Sequence, residues 1–414
     1  MSSGSTLRQR DFRLLLLGQT TSQLGAQVSG VAIPLLAVLT LQASPLQLGL
    51  VTASGTLAFA LIGLPAGAWI DTWRRRPVLI ASDLVRAALL ATIPLAAVLG
   101  LLTITHLVVV SLLSGFARVF FDVGYQSYLP SVIGKDNLLT GNSAMETVRA
   151  SGQVAGPGLG GWLIAVAGAA NVVLIQALTF VASAASLLAI KVREAEVPQH
   201  PDRPRLRAQI KEGLVFVGRT RLLRATALTS AAGNFAFAIA SAVNFIFLVR
   251  SLGLSPAVIG AVLALGSVTV MIGASLTPRL SNRVGSARIS WLSLAVTGPI
   301  TLLGPLARPG WLVGLVVLST AVGELGQIIY AVTNVSLRQR LCPERMLGRV
   351  NATMRFLMMS LFPLGALLGG ALGELVGLRA TLLLSAAIIT VSPLPLYRAL
   401  RGTRDVEDLP PWTS

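Results

Sequence analysis

Residues 152–161 read Gly152-Gln-Val-Ala-Gly156-Pro157-Gly-Leu-Gly160-Gly161. Gly152, Gly156 and Gly160 recur every four residues, so on a helix they form one thin stripe against which a second helix can pack closely. Pro157 removes a helical hydrogen bond and predicts a kink. The pattern returns at a shift of 209, where Gly365, Gly369 and Gly370 align with Gly156, Gly160 and Gly161. At the same shift Ser127, Leu138, Asn142 and Met145 align with Ser336, Leu347, Asn351 and Met354. At a shift of 211, Ser44-Pro45, Gly49 and Gly55 align with Ser255-Pro256, Gly260 and Gly266. The chain therefore reads as two repeated halves of like orientation, a design in which secondary transporters place their site near mid-membrane.

The composition around these motifs is that of a membrane protein. Of 414 residues, 54% are hydrophobic and 12% charged, against about 25% charged in an ordinary soluble domain, and the mean hydropathy is +0.76. Apolar segments fall at about 14–40, 46–70, 78–100, 104–128, 140–167 and 171–191, then at 223–249, 256–280, 286–307, 310–335, 346–373 and 376–398. Each is long enough to cross a bilayer. The expected fold is an all-α membrane protein with twelve transmembrane helices as two parallel six-helix repeats: residues 1–191, a cytoplasmic linker 192–222, residues 223–399 and a cytoplasmic tail 400–414. Arg8 to Arg13 followed by Leu14 to Leu17 has the outline of a signal peptide, but the apolar run continues to about Leu41 and reads as span one.

The net charge of +17 does not form a nucleic-acid face, because the basic residues lie between apolar runs. They read as topology signals. With the N-terminus placed in the cytoplasm, 26 of the 33 basic residues fall on the inner side and the outer loops hold Arg250, Arg308 and Arg379. Both termini are thus expected in the cytoplasm, in a cell (inner or plasma) membrane. Cys342 is the single cysteine, and His106 and His200 lie far apart, so neither an internal disulfide nor a Cys/His metal or haem site is expected. Within the linker, Leu206, Ile210, Leu214 and Val217 recur at helical spacing opposite Arg207, Lys211 and Glu212. Two readings fit, a helix on the inner membrane surface and a solvated linker helix.

Between spans two and three lies Gly67-Ala-Trp-Ile-Asp71-Thr-Trp-Arg74-Arg75-Arg76. It resembles the loop signature of the major facilitator superfamily, G-x-x-x-D-[RK]-x-G-[RK]-[RK], at Gly67, Asp71, Arg75 and Arg76, with Thr72 and Arg74 departing from it. The span-five stretch resembles the superfamily's antiporter motif at Gly152, Gly156, Pro157, Gly160 and Gly161, with Ser143 in place of an outlying glycine. Phe120-Phe-Asp122-Val-Gly-Tyr125-Gln126-Ser-Tyr128-Leu129-Pro130, Asn142 to Glu146, and Arg74-Arg75-Arg76-Pro77 followed by Asp83 and Arg86 resemble the drug and siderophore exporter branch, which includes macrolide efflux proteins and enterobactin exporters. The likeness covers the N-terminal half and reaches the C-terminal half through the repeat. It implies the major facilitator fold, a gate at the loop motif, and export against a proton gradient. Many members of that branch carry an acid where this chain has Ala26.

Ionisable groups inside spans cost about 2.5–3.5 kcal/mol on insertion scales and are functional candidates for that reason. Glu324, midway along span ten, is the candidate for proton coupling or substrate contact. Arg118 and Asp122, four apart on span four, face the same way and can pair. Asp83 with Arg86, Glu146 with Arg149, and Arg355 lie nearer the inner ends and read as gates or structural ion pairs. Gln19, Gln23 and Gln27 stripe one face of span one, and Asn234 and Asn244 sit in span seven. These five fit either a polar cavity or interhelical hydrogen bonding. Phe235, Phe237, Phe245, Phe247, Tyr330 and Phe356 fit either a drug-binding wall or ordinary packing.

The expectation is a secondary active transporter, a proton-coupled exporter of amphipathic small molecules with no enzymatic activity. No G-x-x-x-x-G-K-[ST] loop is present to hold nucleotide phosphates, so a proton gradient rather than a bound cofactor is the expected energy source. The expected partners are the lipid bilayer, a small-molecule substrate and protons, with no nucleic acid. An importer or facilitator on the same fold, and a non-transporting membrane sensor or scaffold, are the alternatives.

Overall fold

Backbone groups inside a bilayer find no water, so a spanning segment must satisfy its own N–H and C=O groups, and the helix does so residue by residue. The structure, a computed structural model, describes residues 9–70, 72–134, 137–192, 194 and 206–409, and these contain helices and no strand. In chain order the helices are α1 (Arg10–Leu39), α2 (Pro45–Ile70), α3 (Arg75–Val98), α4 (Ile104–Ile133), α5 (Leu138–Ala167) and α6 (Ala169–Ala189). The linker helix α7 (Leu206–Arg219) follows, then α8 (Arg221–Ile246), α9 (Pro256–Val284), α10 (Ser286–Thr301), α11 (Gly314–Leu341), α12 (Glu344–Leu375), α13 (Leu378–Val391) and α14 (Leu394–Leu400). Eleven helical segments are long and apolar enough to cross a membrane. The twelfth span is α5, 30 residues long, whose Glu146, Arg149 and glycines lower its hydropathy.

Pro34, Pro65, Pro94, Pro130, Pro157, Pro278, Pro299 and Pro363 all lie inside helices, as spans tolerate where neighbouring groups recover the freed carbonyls. Two spans differ from their sequence reading. The segment read as 286–307 is helical only to Thr301, two residues past Pro299, and continues as a tight turn at Gly304–Leu306. The segment read as 376–398 breaks at Ser392-Pro393, and α14 resumes with Pro395 in its first turn. Gly168 joins α5 to α6 at φ +81°, and Gly377 joins α12 to α13 at φ +88°. These positions, 209 apart, need the left-handed backbone that glycine adopts without a Cβ penalty.

Contacts divide the chain into two compact units. The first comprises residues 1–43, 54–203 and 255–264, and the second 44–53, 204–254 and 265–414. This partition departs from the sequence division at two short segments, and glycine contacts explain both. In the first unit, a Cβ added to Gly161 would stand 2.6 Å from the Cα of Gly260. In the second, one added to Gly370 would stand 3.0 Å from the Cα of Leu46 and 3.2 Å from that of Gly49. The linker helix belongs to the second unit, with Val217 buried beside Leu222, Leu223 and Val350, while Leu214 is exposed. The side chains of residues 206–211, on which its amphipathic reading partly rests, lie outside the described ones.

Candidate transport and coupling site

The glycine stripe of α5 and the glutamine stripe of α1 meet. A Cβ on Gly156 would collide with the Cβ of Gln27, one on Gly152 would lie 3.8 Å from Gln23 and Gln27, and one on Gly160 would lie 2.9 Å from the carbonyl of Val28. Gln23 and Gln27 therefore stand where α1 and α5 pack, and Gln19 buries an Oε1 with no hydrogen-bond partner. The second unit repeats the arrangement: Gly369 lies against Ile239 as Gly160 lies against Val28. Val28 and Ile239 are themselves 211 apart.

Asp71 of the loop motif lies outside the described residues. The arginines beside it are engaged within their own unit. The backbone N–H groups of Arg75 and Arg76, at the start of α3, donate to the Glu194 carboxylate at 3.0 and 3.1 Å, and the Arg75 guanidinium lies 3.8 Å from it. This is an N-cap supplied from a distant segment, where the helix dipole favours an anion. Arg76 donates from Nε and Nη2 to the carbonyls of Leu187 and Leu188 at 3.0 and 2.8 Å, satisfying groups left open at the end of α6. Asp11 accepts from the N–H groups of Lys191 and Val192. In the second unit Ser286 N–H, at the start of α10, donates to Asp405 at 2.9 Å. Arg75 to Ser286 and Glu194 to Asp405 are the same shift of 211, so the repeat extends to its caps. Neither Glu194 nor Asp405 stood out in the sequence; that shared shift was the signal that could have found them.

Among groups inside the spans, Arg118 and Asp122 lie 3.6 Å apart, their side chains 67% and 33% exposed. Arg149 pairs with Glu146 one turn away on α5. Asp83 and Arg86 pair on α3, deeper in the core than the sequence reading placed them. Glu324, on α11, is half-buried beside α9, where a Cβ on Gly266 would lie 3.6 Å from its Cγ. It has no ion pair or hydrogen bond among the described residues.

On α8, Asn234 donates to the Ser230 carbonyl of its own helix at 2.9 Å, and Asn244 is half-buried. The aromatic candidates divide. Phe247 and Tyr330 are buried, Phe247 under the Arg379 guanidinium at 5.4 Å and Tyr330 bonded to Ser230 at 2.6 Å and Asn334 at 3.1 Å. Phe237 is exposed and packs on Phe362 at 6.0 Å.

Residues 15–363 match the Major Facilitator Superfamily. The multidrug efflux pump Tap of Mycolicibacterium fortuitum is 32% identical over 386 residues, covering 89% of this chain and 91% of its own. The enterobactin exporter EntS of Citrobacter koseri is 28% identical over 417 residues, covering 97% and 94%. Among solved structures, a bacterial homologue of the iron transporter ferroportin in its inward-facing state shares the fold with a TM-score of 0.77 at 18% identity, over 94% of this chain and 98% of that one. With repeat, helices and relatives in agreement, the chain belongs to the Major Facilitator Superfamily and is a multi-pass membrane transporter, not an enzyme.

Proposed function

We propose that the chain is a proton-coupled exporter of amphipathic small molecules, drug-like or siderophore-like, that works by alternating access in the cell membrane with both termini cytoplasmic. The observation that carries export is the 32% identity to Tap, a multidrug efflux pump, over nine-tenths of both chains; the likeness to EntS, an enterobactin exporter, points the same way. Proton coupling is supported by Glu324, a carboxyl group in a span with no cation to neutralise it among the described residues. Such a group is costly while charged, and taking up a proton removes the cost. In the N-terminal half, Asp122, paired with Arg118, is the second candidate acid. No bound cofactor enters this reading.

Inverted membrane vesicles test direction and energy source together. An exporter accumulates substrate when the vesicle interior is acidified, and a panel of lipophilic cations, macrolides and catecholate siderophores identifies the class. Accumulation only under the opposite gradient would make the protein an importer, and equilibration without accumulation would make it a facilitator.

A further inference from the structure

Along α3 and α6 the first unit exposes aliphatic surface. Between residues 81 and 91 of α3 and between 172 and 189 of α6, every exposed residue is apolar, among them Leu84, Val85, Leu178 and Val181. The two helices lie against each other, with the Arg86 guanidinium of α3 4.0 Å from the Phe180 ring centroid of α6 and Arg76 bonded to the carbonyls of Leu187 and Leu188. An exposed face of that length with no polar side chain is one that acyl chains cover.

Where α3 begins and the chain leaves α6, the character of the surface changes. A cavity of about 350 Å³ lies there, lined by Arg74, Arg76, Pro77, Val192 and Glu194. It adjoins the aliphatic face, because the carbonyl that Arg76 Nη2 holds at 2.8 Å belongs to Leu188, whose side chain is 60% exposed. The acids at this end are spent on backbone donors: Glu194 accepts from the N–H groups of Arg75 and Arg76, and Asp11 from those of Lys191 and Val192. Arg75 and Arg76 hold protein acceptors with their side chains as well. Arg74 does not. It is exposed, with no hydrogen bond or ion pair among the described residues. With Arg74, Arg75, Arg76 and Lys191 outnumbering the two carboxylates, this end of the unit favours an anion.

We propose that the cavity holds the phosphate-bearing headgroup of an anionic phospholipid, whose acyl chains lie on the aliphatic face of α3 and α6. Arg74 is the side chain left to meet the phosphate oxygens, and basic pockets between spans take such headgroups. A lipid uses both features at once, the charged cavity and the apolar face that ends at it. A soluble anion uses the first alone, and a zwitterionic lipid brings a cation to the same arginines. The proposal stands apart from the direction of transport and from proton coupling.

Native mass spectrometry of the purified, delipidated full chain, titrated with phosphatidylglycerol or with phosphatidylcholine of the same chain length, reads the first lipid bound. Phosphatidylglycerol is expected to bind at least about fivefold more tightly. Arg74→Gln should raise its Kd about fivefold and leave that of phosphatidylcholine unmoved. Arg219→Gln, which removes an exposed arginine at the end of α7, should move neither. Equal affinity for the two lipids, or an Arg74→Gln variant that binds phosphatidylglycerol as the native chain does, overturns the proposal. Equal losses from the two substitutions overturn it too, because they mean a general attraction between basic surface and anionic lipid. Glycerol 3-phosphate carries the charge without the chains, and at tenfold excess it should leave phosphatidylglycerol in place. Displacement at equal concentration would make the occupant a soluble anion and end the lipid assignment.

Discussion

At the scale of single residues, the two acids proposed for proton coupling differ in what surrounds them. Asp122 has Arg118 at 3.6 Å, whereas Glu324 has no counter-ion among the described residues. Glu324→Gln imitates the protonated form, so the variant is expected to insert and bind substrate, to lose proton-driven accumulation at least tenfold, and to keep downhill exchange. Proteoliposomes assayed in both modes check this; wild-type uphill transport would remove Glu324 from the mechanism and leave Asp122. Cys342, between α11 and α12, gives a second expectation. Burial pushes its thiol above the ordinary cysteine range, and the nearby Arg338 guanidinium offsets this only in part. The thiolate is the reactive form, so maleimide labelling of the native protein at neutral pH is expected to run about tenfold slower than that of an exposed thiol and to speed up as pH rises. Labelling as fast as in the denatured chain would contradict the burial.

At the scale of helices, packing and capping carry the predictions. A Cβ on Gly160 would meet the Val28 carbonyl at 2.9 Å, while one on Gly30 would meet nothing within 4 Å. Gly160→Leu therefore forces α1 and α5 apart, at about 1–3 kcal/mol or more, and is expected to lower both the melting temperature and transport. Gly30→Ala is expected to be neutral or mildly stabilising. Equal melting temperatures for the two variants would mean that the stripe is not a contact. Glu194→Ala and Asp405→Ala each remove an anionic cap worth about 1 kcal/mol. The two caps share no partner, so their losses should add in the double variant; a double variant no less stable than either single one would show that the caps are not equivalent. The helices themselves were legible because long apolar runs between Arg-rich and Gly/Pro breaks leave a bilayer-spanning chain few alternatives. Their ends at Thr301 and Ser392 were not, because a proline inside a span is tolerated at one site and ends the helix at another, depending on neighbours remote in sequence.

At the scale of the whole molecule, the repeat governs how the chain can be divided. Residues 255–264 belong to the first unit and 44–53 to the second, so a fragment ending near residue 200 lacks the segment that covers Gly161. Expressed alone, that fragment is expected to be degraded or to aggregate, and co-expression with the remaining residues should restore a stable, transport-competent protein. A stable lone fragment would show that the covering segment is dispensable. By itself the sequence determined the class, the number of spans, the tandem repeat and the family resemblance, because hydropathy and glycine spacing act through local rules that hold wherever a helix meets lipid or another helix. Only the tertiary structure decided that Gln23 and Gln27 meet the glycine stripe, that Glu194 caps α3, and that Asp83 and Arg86 are the buried charges among the described residues. Those facts depend on which distant segments share a surface, and a carboxylate's surroundings come from the helices packed around it rather than from its neighbours along the chain.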